Sequence, residues 1–210
     1  KFHQLLYGTR TKQLQKLREL GKRKGRRTEK PMRISIITPS VRPEGLNLVK
    51  RALAQQTLSQ DCFEHIIALQ ENKPKKGDYW TIYSDYNRAI KQAKGQLIIS
   101  WQDYTFAKPE TLEKFWYHYT QEPKTLVTGV GDKYQDDTWT VKVWADPRKR
   151  TDYGTYYQCY HNDIEWNLCS IPKEAFYAVG GFDERLNKYS SICGLDVVDR
   201  LQVIGSWDFK

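Results

Sequence analysis

Apolar positions fall into short continuous runs separated by polar breaks, and the clearest run lies inside Gly95–Glu110, GQLIISWQDYTFAKPE. Leu97, Ile98 and Ile99 are apolar on both faces, and the run is bounded by Gly95 and Pro109, so it predicts a strand buried within an α/β sheet. Asp103 follows at the carboxyl end of that strand, where open α/β sheets place their ligands. Pro109 then opens a helical pattern, TLEKFWYHY. Upstream, Arg33–Ile37 predicts a first strand that stops at Thr38-Pro39-Ser40-Val41-Arg42-Pro43. A helical pattern with Leu46, Val49, Leu53 and Ala54 comes next. His65–Leu69 predicts a second strand ending in the polar Gln70-Glu71-Asn72, and KPKKGD reads as a loop. A helix from about Asp85 to Lys94 carries Tyr86, Ala89, Ile90 and Ala93 on one face and stops at Gly95. Strand and helix therefore alternate three times, which predicts a doubly wound α/β half.

From Thr125 onward the segments are shorter and rich in Tyr and Trp. TWTVKVW alternates and predicts a half-exposed strand in an antiparallel or mixed extension of the sheet. Pro172–Phe176 signals another helix, leading into Val179-Gly180-Gly181-Phe182-Asp183-Glu184. GLDVVDRL, from Gly194, predicts a short helix entered from a glycine turn, and LQVIGSWDF a last strand.

Charge divides the chain at Lys30. Residues 1–30 hold eleven Lys or Arg against Glu19 and Glu29, whereas residues 31–210 hold 23 basic and 23 acidic groups. The whole excess of +9 thus sits in a basic N-terminal arm, densest at Gly21–Arg27. Such a run suits nucleic acid, anionic lipid or another polyanion. It also suits a solvated, partly helical arm with Leu14, Leu17 and Leu20 on one stripe.

Hydrophobic content of 39% fits an ordinary globular body, and no apolar run approaches the ~20 residues of a membrane span. The start lacks the apolar core of a signal peptide. Cys62, Cys159, Cys169 and Cys193 are far apart, with no C-x-x-C pair and no Cys/His cluster at ligand spacing, which argues against a zinc site or a disulfide scaffold. Unpaired thiols fit a reducing compartment, so a cytoplasmic location is the expectation. The chain starts at Lys1 rather than Met, as a piece of a longer protein would.

Four segments in order, ISIITPSVRP with ALAQQT, DYNRAIKQAKGQLIISWQDY, VGGFDE and GLDVVDRL, resemble the family-2 glycosyltransferases over about 180 of 210 residues. That resemblance implies a GT-A fold for residues 31–210, a mixed sheet flanked by helices, behind the arm of residues 1–30. It also implies transfer of a sugar from a nucleotide-diphosphate donor, a UDP-sugar in the first instance, to a hydroxyl of a glycan or other acceptor, with inversion.

Residue by residue, the resemblance gives nucleotide contacts to Thr38, Pro39, Ser40 and Arg42, to Gln70 or Glu71 after the second strand, and to Asn87. Arg88 would face phosphate. Gln102 and Asp103 stand where the family has an acid pair, making Asp103 the candidate ligand for Mn²⁺ or Mg²⁺ against the diphosphate. A cation there would offset charge developing on the leaving group. One carboxylate is a sparse site for a hard cation unless phosphate and water complete it, which leaves the metal requirement open. Asp103 could instead cap its own turn.

Asp196 matches the family's base near a helix start, with Leu195 in place of the usual Glu. Ordinary helix N-terminal placement is the plainer alternative for it. Asp183 follows Gly180 and Gly181 in a turn that in the family faces the acceptor. Trp166 and Asn167 precede that turn and are the acceptor candidates among many aromatics, any of which equally suits a core. The chain ends without the segment that in relatives often brings a further His ligand and a lid.

Two other classes fit the same residues. One is a nucleic-acid-directed enzyme or binder that uses the arm. The other is a non-catalytic sugar-nucleotide or glycan-binding protein, suggested by the missing acids at 102, 104 and 195.

Overall fold

The computed structural model describes residues 32–69, 81–148, 157–189 and 194–210. The basic arm, Gln70, Glu71 and Cys193 lie outside the described residues. Of the other cysteines, Cys62 and Cys169 are buried and Cys159 is half-buried.

A six-stranded mixed sheet runs β2 (Phe63–Leu69), β1 (Ile34–Ser40), β3 (Leu97–Trp101), β7 (Leu168–Pro172), β4 (Thr125–Thr128) and β8 (Asp208–Phe209). The three strands of the first half are parallel, with Ile34 opposite both Phe63 and Leu97. The order then reverses, because β7 is antiparallel to both β3 and β4, while β8 closes the edge parallel to β4. Strand period two sends alternate side chains to opposite faces, and both faces are apolar. Ile37 and Ile98 enter one core with Ile171 and Leu126, whereas Ile34, Ile36, Leu97, Ile99 and Trp101 enter the other.

Each core is roofed by helices. The first takes Tyr83, Tyr86, Ala89 and Ile90 from α2 (Ile82–Gln92), Ala175 and Phe176 from α4 (Lys173–Ala178), and Val197, Val198 and Leu201 from α5 (Leu195–Ile204). The second takes Val49, Ala52 and Leu53 from α1 (Leu46–Ala54), and Leu112 and Phe115 from α3 (Thr111–Gln121). No helix among the described residues is long and apolar enough to cross a membrane.

Two segments depart from the pattern-based expectation. TWTVKVW contributes only β6 (Lys142–Trp144), which pairs with β5 (Lys133–Tyr134) in a ribbon separate from the main sheet. Val141 and Val143 are 50% and 61% exposed, so the alternation marks no buried face there. LQVIGSWDF is not a continuous strand. Helix α5 runs through Ile204, stops at Gly205 in the left-handed region (φ 71°), and leaves only Asp208–Phe209 for β8. Helical spacing of Val197, Val198 and Leu201 against the first core outweighs the strand-like look of the isolated stretch.

Candidate active site

Strand β3 ends against β7, and its exit is fixed by two hydrogen bonds. The Gln102 amide donates to the Asn167 carbonyl (3.0 Å), and the Trp101 indole donates to the Thr105 carbonyl (2.8 Å). This turn buries Asp103, which is 4% exposed. Its carboxylate does not cap that turn; it reaches the end of β1 instead. Ser40 Oγ donates to Asp103 Oδ2 at 2.6 Å, Arg42 Nε donates to Oδ2 at 3.2 Å, and Arg42 Nη2 donates to Oδ1. The guanidinium also lies over the Tyr104 ring, 5.4 Å from its centroid. Hydrogen bonding to Asp103 raises the Arg42 pKa, against the opposing effect of partial burial.

Arg42, Asp103, Tyr104 and Asn167 open into a cleft of about 1690 Å³, bounded on its far side by the β5–β6 ribbon. Tyr104 Oη donates to Asn167 Oδ1 (2.7 Å), and Asn167 Nδ2 donates to Glu165 Oε2 (3.3 Å). Glu165 also receives Arg148 Nη2 (2.6 Å), and Arg148 is gripped by Asp146 through Nε and Nη2 (2.9 and 2.7 Å). That pairing drives the Asp146 pKa down and the Arg148 pKa up. Glu165, Arg148 and Asp146 were not singled out by sequence reasoning. The D-x-R spacing of 146 and 148 was the available signal, but Glu165 lies 17 residues further on.

The VGGFDE turn is built around Asn87. From the buried face of α2, Asn87 Nδ2 donates to the Phe182 carbonyl (3.0 Å) and to Glu184 Oε1 (2.9 Å), while Oδ1 accepts the Phe182 amide (2.9 Å). Gly181 has φ +82°, and a Cβ there would come within 2.7 Å of Asn87 Oδ1, so the position requires glycine twice over. The turn carries Asp183 to the start of α5, where its amide donates to Asp196 Oδ2 (3.2 Å). Asp196 also accepts Arg200 Nε (3.0 Å) and Nη2 (2.5 Å), and Arg200 Nη2 reaches the Gly181 carbonyl (2.6 Å). Asp183 pairs with Arg185, and that hydrogen bond holds it at about 2.

Sequence-predicted residues therefore fall into three groups. Arg42, Asp103 and Asn167 line the cleft, and Ser40 is joined to them through its hydrogen bond to Asp103. Asp183, Asp196, Gly180 and Gly181 gather at the α5 start with Asn87, and neither Asp183 nor Asp196 lines that cleft. The rest are interior or peripheral. Thr38 is fully buried with its hydroxyl 2.9 Å from His65 Nε2, Pro39 is buried in β1, and Gln102 is half-buried. Trp166 is 4% exposed and packs tilted against Phe182 and edge-on against Tyr86, with centroids 4.7 and 5.6 Å away, so its ring is part of the core. Arg88 is exposed and bonded to Asp85 (2.5 Å).

No family model and no curated protein sequence matches the chain. Solved structures do. S. aureus TarS superposes with a TM-score of 0.62 at 12% identity, over 85% of this chain and 35% of that one. TarS 1–349 in complex with UDP gives 0.57 at 12% identity, over 85% and 58%. The mannosyltransferase PcManGT from Pyrobaculum calidifontis, in complex with GDP-Man and Mn²⁺, gives 0.53 at 15%, over 98% and 61%. The fold is that of a GT-A glycosyltransferase. The chain spans between about a third and three fifths of the length of these structures.

A divalent cation is what this glycosyltransferase fold implies beside a diphosphate. The donor set at Asp103 does not fit one: a guanidinium and a hydroxyl already bond to its carboxylate oxygens. Among the described residues no three His, Cys, Asp or Glu side chains are grouped to hold a metal ion.

Proposed function

We propose that the chain transfers a sugar from a nucleotide-diphosphate donor, in the first instance a UDP-sugar, to an acceptor hydroxyl, with inversion at C1. The observation that carries this reading is the junction of Ser40, Arg42 and Asp103 at the carboxyl ends of β1 and β3, where it opens into the cleft. The glycosyltransferase fold adds to it.

In the proposed reaction the acceptor oxygen bonds to C1 as the C1–O bond to the diphosphate breaks. The bonding pair leaves with the diphosphate, and the hydroxyl proton passes to Asp196, the base that the family resemblance implies, although it stands at the start of α5 outside the cleft lining. Arg200 and the Asp183 amide fix the orientation of that carboxylate. Tyr134, Trp139 and Phe106 form a run of ring contacts on the cleft wall, with centroids 5.2 to 5.6 Å apart, and their faces suit the apolar side of a sugar ring. The acceptor we propose is accordingly a glycan.

The test is release of nucleoside diphosphate from a panel of UDP- and GDP-sugars with oligosaccharide acceptors, for the parent and for Asp196→Asn. Asp196→Asn should lose about 10²-fold or more of turnover while donor affinity is kept. Full turnover in that variant moves the base to Glu165, the half-buried carboxylate that does line the cleft. Absence of donor binding and turnover across the panel sinks the transferase reading.

A further inference from the structure

We propose that Arg42, anchored by Asp103, receives the donor's diphosphate directly, with no divalent cation between protein and phosphate. This rests on the transferase reading above. The Asp103 side chain is 5% exposed and takes three donors, Ser40 Oγ on Oδ2 and Arg42 on both oxygens. A hard cation needs about six oxygen ligands at close range, and entry here would strip the hydroxyl and the guanidinium from the carboxylate. It would also leave the Arg42 charge beside a like-charged ion inside a partly buried site.

Arg42 has the donors to replace it. A guanidinium has five N–H groups, and Asp103 uses one on Nε and one on Nη2. Nη1 makes no hydrogen bond among the described residues, and the side chain is 43% exposed toward the cleft. The Nη1–Nη2 edge is therefore a planar fork of the kind that takes two phosphate oxygens at once. The guanidinium is held along its Nε–Nη2 edge by the carboxylate and against the Tyr104 ring, 5.4 Å from the centroid. A cation fixed before the reaction stabilises charge as it develops on the leaving diphosphate, which is the work a metal would otherwise do. Asp103 then positions Arg42 rather than binding a ligand itself.

Calorimetric titration with UDP and GDP, and with uridine and guanosine as controls, in Mn²⁺ and in EDTA, tests this on the parent, Arg42→Lys, Arg42→Gln and the double variant Arg42→Gln with Asp103→Asn. The double variant removes the charge pair together, so no buried carboxylate is stranded. The parent should bind its diphosphate with one affinity in Mn²⁺ and in EDTA. Arg42→Gln and the double variant should weaken that binding about tenfold or more, with nucleoside binding unchanged, because a charge-assisted contact to phosphate is lost. Arg42→Lys should fall between, keeping the charge but not the fork. Diphosphate binding that requires Mn²⁺ overturns the Arg42 role and leaves the transferase reading standing. So does metal-free binding that survives Arg42→Gln. No diphosphate binding under any condition removes both.

Discussion

Asn87→Ala should be among the most costly single changes outside the apolar core, and its magnitude follows from the hydrogen bonds around the Gly-Gly turn. Asn87 is 8% exposed and Phe182 4%, and both the amide and the carbonyl of Phe182 bond to the Asn87 side chain. Alanine leaves those two backbone groups buried without partners. Each costs ~1–3 kcal/mol, so the expected loss is about 3 kcal/mol once some water enters. Against a total stability of ~5–15 kcal/mol that is a large fraction. Urea denaturation followed by tryptophan fluorescence should show the midpoint falling by about 1–2 M at constant slope.

A second readout separates the turn from general damage. The Asn87 hydrogen bond, ahead of that from Ser84, holds the Glu184 pKa below the ordinary carboxylate value. In Asn87→Ala, Glu184 should titrate closer to that ordinary value in a carbon-detected pH titration. Because its folded pKa is depressed, Glu184 contributes stability above its unfolded pKa that fades as pH falls, and the variant should lose part of that dependence. A stability change below about 0.5 kcal/mol, the range of an inert surface substitution, would refute the clamp.

Two further outcomes follow from buried groups. Burial first, and the Lys50 charge second, push His65 from 6.5 down to about 4. Between those values the unfolded chain holds a proton that the folded chain refuses, so stability should fall as pH drops through that window, by on the order of 3 kcal/mol in full. His65→Gln should flatten the urea midpoint against pH over that range, and an unchanged slope would exclude His65 as its source. Gly194→Ala should lower the melting temperature steeply or prevent folding: φ is +92°, and the new Cβ would stand 1.6 Å from Trp166 Cδ1 inside the core. A melting curve that matches the parent would mean the α5 start can move away from Trp166.

The parallel half of the sheet was legible because its strands are continuous apolar runs closed by Gly, Pro or polar breaks, and because helical spacing in α1 and α2 is clean. The second half was harder to read. Its strands are two to five residues long, and partners distant in sequence decide which of them join the sheet. Val141 and Val143 alternate with Lys142 as a half-buried strand would, yet their ribbon has no core to face. Side-chain roles followed the same division. Asp103 was legible from its place after β3, but its pairing with Arg42, 61 residues away, was not. Asn87 carried a nucleotide role by resemblance, while its hydrogen bonds go to a turn 95 residues further along the chain. Trp166 was one aromatic among many until the core closed around it.

The sheet order sets a timetable for synthesis. β3 is the centre of the finished sheet, but its neighbour β7 begins only at Leu168. At ~5–20 residues per second, a ribosome exposes the apolar Leu97–Trp101 strand with one side unpaired for about 4–14 seconds. An unpaired apolar strand edge is a template for pairing with another chain. Nascent chains stalled between α3 and β7 should be the form of this protein most dependent on chaperones. A slow codon cluster in that interval should lower the yield of folded product more than the same cluster placed after Pro172.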